Sequence, residues 1–252
     1  MDANKKKIID LFNENVRGKK PESKGNAKHD GKHGHWLEKQ MGLKLNSRGE
    51  ADLYGYEMKN DSGRSNKTSF GDWMADYYIF KDPKSGISNQ DEFVSIFGKK
   101  NIKKKGRYSW SGEPAPSIKK VNGFGQQLVV DAANNIIAKY SYSKDKRSDK
   151  KLIIPKKLQV EKLIIAKWDM TSIKMKLDIK FNQNGWFKCK VGKSGVYESI
   201  VFGAPMNYET WVGLVKEGVI FLDSGMYLGN HRRYSKWRAT NNFWDSCIID
   251  KY

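Results

Sequence analysis

The feature that most constrains this chain is a D-x4-E-x-K pattern within the segment from Gly34 to Asn60. Its three charged residues are Asp52, Glu57 and Lys59. Successive side chains of a β-strand point to opposite faces, so Glu57 and Lys59 are expected to share one face. Gly55 permits a bend that returns the chain toward Asp52. The pattern therefore predicts two carboxylates and one ammonium group that converge on one point.

Such a group has a definite chemistry. Hard carboxylate oxygens suit Mg²⁺, with Mn²⁺ and Ca²⁺ as other occupants of the same kind of site. A bound ion of this kind activates water and polarises a phosphate, and Lys59 would add positive charge where negative charge develops. The pattern alone is weak, because a chain of this composition contains it by chance roughly half the time. A charged surface hairpin is the alternative.

The charge balance of the chain indicates a polyanionic partner. Lys and Arg total 47 against 28 Asp and Glu, which gives a net charge of +19. Nucleic acid is favoured, because no apolar run approaches the roughly 18 residues of a membrane span and no long basic amphipathic helix is present. No RNP-like aromatic motif supports RNA binding. We therefore expect DNA as the partner, and no membrane.

The cysteines and the start of the chain bear on the compartment. Cys189 and Cys247 belong to no C-x-x-C or Cys/His cluster, so neither a disulfide framework nor a structural zinc site is supported. The first residues lack the apolar stretch of a secretory signal. We expect a cytoplasmic, bacterial protein.

Periodicity predicts a mixed α+β fold, with a central mixed β-sheet flanked by helices. Asp2 is predicted to cap the first helix, and Ser88 with Asp91 to start the second like a capping box. The predicted helices are 2–16, 88–98 and 207–216, and the predicted strands lie within 126–142, 163–168, 186–191 and 219–228. The length favours one domain, 1–252, with two lobes as an option: about 34–170 for catalysis and about 200–245 for recognition.

Two basic segments are candidates for phosphate contact. The turn 61–69 and the densest basic run, 99–107, each follow an ordered segment. A charge run is otherwise a solvated face, so this alternative stays open for both segments. The candidate contact residues are Arg64, Lys67, Lys103, Lys104, Lys105 and Arg107.

The stretch 229–244 differs from the rest of the chain, because arginine and histidine alternate there with aromatic residues. Arginine forms bidentate pairs with guanine, whereas lysine acts as a point charge. A base-reading loop or ribbon uses such residues, and a basic surface strand is the alternative. The candidate residues are His231, Arg232, Arg233, Tyr234, Lys236 and Arg238.

The segments GHWLEKQMG and ADLYGYEMKN together resemble the active-site region of the PD-(D/E)xK nucleases. The resemblance is to the branch that contains the mismatch-repair nickase MutH and the MvaI/BcnI-type restriction endonucleases, in which a helix bearing L-E precedes D-x4-E-x-K. Later segments, such as VEKLIIAKW and YETWVGLVKEGVIFLDSGMYLG, continue the likeness over most of 34–240. Ala51 replaces the proline of the name-giving motif. The resemblance implies a restriction-endonuclease-like fold with a DNA-binding cleft.

The resemblance also implies residue roles. Asp52 and Glu57 would be the metal-binding carboxylates, joined by the backbone carbonyl of Met58. Lys59 would position the attacking water, and Glu38 would bind a second metal or its water. The basic loop at 229–238 would contact bases in double-stranded DNA, and a DNA methyltransferase would protect the host.

Three functions fit the sequence. A type II restriction endonuclease is favoured, acting with Mg²⁺ and as a monomer rather than a dimer. A MutH-like strand nickase belongs to the same class of enzyme. A basic DNA-binding protein without catalysis would use 52–59 only as a charged hairpin.

Overall fold

The computed structural model describes residues 2–20, 32–43, 50–61 and 65–252. Within these residues the helices are α1 (Ala3–Asn15), α2 (Lys32–Gln40), α3 (Gln90–Phe97), α4 (Lys150–Ile153), α5 (Met170–Lys180), α6 (Tyr208–Lys216) and α7 (Asn241–Ser246). The first seven strands are β1 (Glu57–Asp61), β2 (Lys67–Asp72), β3 (Tyr77–Tyr78), β4 (Lys99–Asn101), β5 (Arg107–Trp110), β6 (Phe124–Val130) and β7 (Ile136–Asp145). The remaining strands are β8 (Leu163–Trp168), β9 (Trp186–Val191), β10 (Tyr197–Gly203), β11 (Phe221–Ser224), β12 (Met226–Tyr227), β13 (Ser235–Thr240) and β14 (Ile248–Lys251).

The chain forms two compact units, each built from segments that are separated in sequence. The first unit comprises Met1–Thr68, Met175–Tyr208 and Thr240–Tyr252, and the second comprises Ser69–Lys174 and Glu209–Ala239. The single domain 1–252, with lobes at about 34–170 and about 200–245 as an option, stays a prediction. The residues of the D-x4-E-x-K pattern lie in the first unit, and residues 229–238 lie in the second.

The first unit is a mixed sheet covered by helices, in strand order β1-β9-β10-β14. β1 runs parallel to β9, and the other two pairs are antiparallel. Apolar residues of α1 and α2 share one core with Met58 of β1, with Tyr56 just before β1, and with residues of β9 and β10. Side chains alternate along a strand, so Glu57 and Lys59 are turned to the face opposite Met58. The predicted combination of a mixed sheet with flanking helices is confirmed.

The helix α1 begins as its sequence predicts. The Asp2 carboxylate accepts the backbone N–H groups of Asn4 at 3.3 Å and Lys5 at 3.1 Å, which is the bonding of an N-cap. Its apolar stripe is buried and includes Ile8 and Phe12, neither of which is exposed. The cap and the stripe together fix the helix on the sheet.

The second unit contains a four-stranded sheet in the order β3-β8-β7-β6 and a three-stranded sheet in the order β12-β5-β4. A further three-stranded sheet has the order β11-β13-β2, and most residues of β2 and β13 belong to the second unit. Strands were predicted within 126–142, and the structure has two there, β6 and β7, which form an antiparallel pair with Asn134 in the turn at a φ of +59°. Four tryptophans with no exposed surface fill its core: Trp110, Trp168, Trp211 and Trp237.

Two predicted elements differ in detail. The segment 219–228 is two strands rather than one, because β11 pairs with β13 whereas β12 pairs with β5. Gly225 separates them: its N–H donates to the Tyr234 carbonyl at 3.1 Å, and a Cβ there would lie 3.1 Å from the Tyr234 Cβ. The helix α3 is capped by Asn89 rather than Ser88, since the Asn89 side chain accepts the N–H of Glu92 at 3.0 Å.

In the described part of the chain, no helix is both long enough and apolar enough to cross a membrane.

Candidate active site

A tight turn precedes β1 and places Asp52 beside it. Leu53 and Tyr56 exchange two backbone hydrogen bonds, of 3.0 and 2.8 Å. The residues between them, Tyr54 and Gly55, have φ values of +49° and +81°. Positive φ at both central positions is the feature of a type I′ turn, in which glycine costs least. The bend predicted at Gly55 is therefore present.

The connection between α5 and β9 holds this turn. The Asn184 side chain donates to the Tyr54 carbonyl at 2.9 Å, and its backbone N–H donates to the Gly55 carbonyl at 3.1 Å. The Glu57 N–H donates to the Gly185 carbonyl at 3.0 Å. The turn and the first residue of β1 are thus held by the same short segment.

Asp52 lies at the free edge of β1, which is the terminal strand of its sheet in the described part of the chain. Its Oδ2 accepts the backbone N–H of Met58 at 2.9 Å. The N–H and C=O of one strand residue project to the same side, whereas the Glu57 N–H projects toward the Gly185 carbonyl on the β9 side. The Met58 carbonyl is therefore expected to face the edge on which Asp52 lies.

Glu57 is buried and accepts hydrogen bonds from two lysines. Only 4% of Glu57 and 8% of Lys59 is exposed, and the Lys59 Nζ lies 2.9 Å from Glu57 Oε1. The Lys180 Nζ lies 3.0 Å from each Glu57 oxygen. The Lys59 ammonium also lies 4.9 Å from the centre of the Phe181 ring. The shared face predicted for Glu57 and Lys59 is present.

The electrostatics of this group act on Asp52. Burial, and then the negative charge of Glu57, raise the pKa of Asp52 to about 6. The Met58 N–H and the positive charges of Lys59 and Lys180 act in the opposite direction. Asp52 is nevertheless an exposed residue, so solvent screens part of this effect. A carboxylate in this state gains from a cation beside it.

Glu38 has a different partner. It lies on α2, and its Oε2 is 3.2 Å from the Nδ1 of His35 on the same helix. The described residues contain no group of three or more His, Cys, Asp or Glu side chains that is arranged to hold a metal ion. The structure brings Asp52, Glu57 and Lys59 together, and the role of Glu38 stays a prediction.

The candidate phosphate contacts are distributed over several elements. Lys67 is the first residue of β2, and Lys104 and Lys105 are exposed next to the short strand β4. The Arg107 guanidinium lies 3.4 Å from the centre of the Tyr227 ring, within the second unit. Arg64 and the side chain of Lys103 lie outside the described residues.

Residues 228–234 connect β12 to β13, and their exposed members include His231 and Arg232. Asp72 orders this connection: its carboxylate accepts the Ser235 N–H at 2.7 Å and lies 3.2 Å from the Arg232 Nη2. The charged groups of Arg232 and Lys236 lie 4.6 and 5.5 Å from the centre of the Tyr234 ring. Cationic side chains are thus grouped around one aromatic ring.

The other two arginines of this region have partners inside the protein. The Arg238 Nε lies 3.2 Å from the Asp223 carboxylate on the neighbouring strand, and Arg238 is only 20% exposed. The Arg233 guanidinium lies 5.5 Å from the centre of the Phe80 ring. Their contribution to DNA recognition stays a prediction.

Lys180 was not among the predicted site residues. It lies at the end of α5, far from the pattern in sequence, and α5 itself was not predicted. The sequence offers little to identify it: Lys180 is a lysine two residues before the segment NQNG, which leads into β9.

Comparison with solved structures defines the class of fold. The chain matches the restriction endonuclease MvaI in complex with its cognate DNA substrate, with a TM-score of 0.62 at 12% identity, over 100% of this chain and 98% of that one. At 12% identity the match is evidence for the fold alone, and it confirms the predicted restriction-endonuclease-like fold.

The sequence comparisons show the family. The model of the LlaMI restriction endonuclease family matches residues 16–252. The type II restriction enzyme ScrFI of Lactococcus lactis subsp. cremoris is 43% identical over 269 aligned positions, which cover 99% of each chain. The chain belongs to the LlaMI restriction endonuclease family and is a type II restriction endonuclease, a site-specific deoxyribonuclease.

Proposed function

We propose that this endonuclease hydrolyses phosphodiester bonds of double-stranded DNA within a specific sequence, with Mg²⁺ as its cofactor. The observation that carries the proposal is the convergence of Asp52, Glu57 and Lys59 at the free edge of β1. The pKa of Asp52, raised to about 6 by burial and by Glu57, marks a group that a cation would stabilise.

The donor atoms fit Mg²⁺. Asp52 and Glu57 supply hard carboxylate oxygens, and the Met58 carbonyl would supply a third. Glu38 would serve a second ion or its water. When bound, the ion supplies an activated water and polarises the scissile phosphate.

The protein residues orient the reaction. The Lys59 ammonium is fixed beside Glu57 in a nearly buried position, so it would meet the phosphate without a large cost of reorganisation. There it would offset the charge that accumulates on the phosphoryl oxygens and orient the attacking water. The Asn184 contacts with Tyr54 and Gly55 would hold the turn that follows Asp52.

Recognition is assigned to the second unit. Arg232 and His231 are exposed on the connection from β12 to β13 and would contact base edges. Lys104 and Lys105 would contact phosphates, which supports affinity without sequence information. A DNA methyltransferase that modifies the same sequence would protect the host.

The described residues of one chain contain one such cleavage centre, and we infer that a monomer cuts the two strands in succession. A nicked circle would then precede the linear product in a time course on supercoiled plasmid. Accumulation of nicked circles without linear product would support the strand nickase instead. Direct conversion to linear product would support a dimer.

Digestion of plasmid or phage DNA of known sequence tests the proposal. With Mg²⁺ we expect discrete fragments whose mapped ends share one short sequence, and with EDTA we expect intact DNA. A smear, or no cleavage across several divalent ions, would contradict it.

A further inference from the structure

We propose that Lys180 is a resident counter-ion of Glu57 which withdraws when a divalent cation binds and so sets the cation affinity of the cleavage centre. The inference rests on the proposed function, because it takes Asp52 and Glu57 as cation ligands. It concerns a residue that lies outside the D-x4-E-x-K pattern.

The contact geometry is the first observation. The Lys180 Nζ lies 3.0 Å from both Glu57 oxygens, so it spans the carboxylate between them. The Lys59 Nζ lies 2.9 Å from Oε1 of the same carboxylate. Three hydrogen bonds from two ammonium groups leave Glu57 little capacity to accept a cation. One ammonium group must move for Glu57 to become a ligand.

The two lysines differ in their freedom to move. Lys59 lies on β1 only two residues from Glu57, and its side chain is 9% exposed. Lys180 reaches Glu57 from the end of another element, and its side chain is 20% exposed. Lysine has a long flexible stem, so the more exposed ammonium group reaches water at the smaller cost. Lys180 is the exchangeable member of the pair.

The position of Lys180 at the end of its helix stabilises its positive charge. It is the last residue of α5, where the partial negative charge of the helix end favours a cation. The N–H groups of Phe181 and Asn182 both donate to the Leu177 carbonyl, at 2.7 and 2.9 Å, and end the helix there. Lys180 therefore has a defined position beside Glu57.

The balance of charge gives the direction of the effect. With Asp52 and Glu57 ionised, the two carboxylates face two ammonium groups, so the centre is close to neutral before a cation enters. Removal of the Lys180 charge leaves a net negative centre, to which a divalent cation binds more tightly. A purely structural lysine would have the opposite effect, because its loss would disorder Glu57.

The test is a titration of the full chain with Mn²⁺ in the absence of DNA, with free Mn²⁺ measured by electron paramagnetic resonance. For Lys180→Met we expect the Kd for Mn²⁺ to fall by about 10-fold, and Lys180→Gln should act in the same direction. For Lys180→Arg, which keeps the charge, we expect a change of less than about 2-fold.

Lys190→Met is the matched control. The Lys190 Nζ lies 2.9 Å from Asp245 in the same unit, so this change removes one positive charge and leaves the Glu57 contacts intact. Its Kd for Mn²⁺ should stay within about 2-fold of the wild-type value. Asp52→Asn should weaken Mn²⁺ binding in every background, which locates the ion.

Several results would overturn the inference. One is a folded Lys180→Met or Lys180→Gln protein that binds Mn²⁺ as weakly as the wild type or more weakly. Another is an equal gain in Lys190→Met, and a third is no Mn²⁺ binding by either the wild type or the Lys180 variants. The titration needs no cleavage, so it fails or succeeds separately from the digestion that tests the proposed function.

Discussion

Asp52 connects the electrostatics of the site to the stability of the protein. Burial and the charge of Glu57 raise its pKa to about 6, above its ordinary value of about 3.9. The folded state therefore binds this proton more tightly than the unfolded state does. The resulting stability is fully present below about pH 4 and is lost as the pH rises through about 6.

Asp52→Asn should consequently stabilise the protein at high pH. In EDTA at pH 8 we expect a thermal midpoint above that of the wild type, by an amount that solvent screening of the exposed Asp52 reduces, with the advantage shrinking as the pH falls from 6 to 4. The exposed residue Asp10 on α1 provides the control, since Asp10→Asn removes a carboxylate away from Glu57. A lower midpoint for Asp52→Asn at pH 8 would contradict the raised pKa.

At the scale of single residues, local rules predicted the positions of Asp52, Glu57 and Lys59, and only that of Lys180 was not predicted. Alternation along a strand put Glu57 and Lys59 on one face, and a glycine turn returned Asp52 to the edge. Lys180 escaped prediction because it reaches Glu57 from the end of α5, and no spacing rule relates residues so far apart in sequence.

The turn before β1 carries the next prediction. Gly55 has a φ of +81°, and an added Cβ would lie 2.7 Å from the Asn184 Nδ2. Gly55→Ala should displace Asp52 from Glu57 and lower the cleavage rate by roughly 10²-fold. It should also cost about 1–2 kcal/mol of stability, since alanine strains a left-handed backbone.

Gly195→Ala is the control that separates the effect of backbone strain from the displacement of Asp52. Gly195 has a φ of +79°, and the nearest atom to an added Cβ, on Lys20, is 4.0 Å away. The backbone cost is therefore similar, whereas the turn at Asp52 is untouched. We expect normal cleavage at temperatures where both variants are folded, and an equal loss of activity in both would refute the positioning role of the turn.

The connection from β12 to β13 is the element to which sequence choice is assigned. Arg232→Ala should relax discrimination between the cognate site and sites with one altered base pair by roughly 1–3 kcal/mol. Lys104→Ala should weaken binding to all sequences alike. Binding measured on a set of such duplexes distinguishes the two outcomes, and a uniform loss in Arg232→Ala would argue against base reading.

Elements with strong local signals were predicted well, and those shaped by neighbours were not. Asp2 caps α1 as expected, because capping involves only adjacent residues. The strand β9 was predicted from its residues, but the burial of its first four residues in succession depends on what covers both faces of the sheet, which no local pattern shows. Residues 219–228 split into two strands because Gly225 turns the chain between two sheets.

For the whole molecule, the net charge of +19 predicts binding that depends strongly on salt. Each phosphate contact releases counter-ions, so about six to ten contacts should lower the affinity about 10³–10⁵-fold between 50 and 200 mM salt. Fluorescence anisotropy with a noncognate duplex measures this slope. A flat response would exclude binding through the basic segments.

The division into two units could not be read from the chain. Each unit combines segments that are more than a hundred residues apart, as β1 and β9 are in the first. Composition and periodicity describe each segment alone, and the pairing of distant segments depends on packing. The fold class was predictable for another reason, namely that the segments around the pattern resemble known nucleases.

The central claim is that Asp52 and Lys59 perform cleavage rather than DNA binding. Its most direct test compares cleavage with binding for Asp52→Asn and Lys59→Met, with Lys190→Met as the control. We expect cleavage of the cognate site to fall by about 10³-fold or more in both variants, while DNA affinity without Mg²⁺ stays within about 3-fold of the wild type. Equal losses of cleavage and binding, or cleavage that survives in either variant, would contradict the claim.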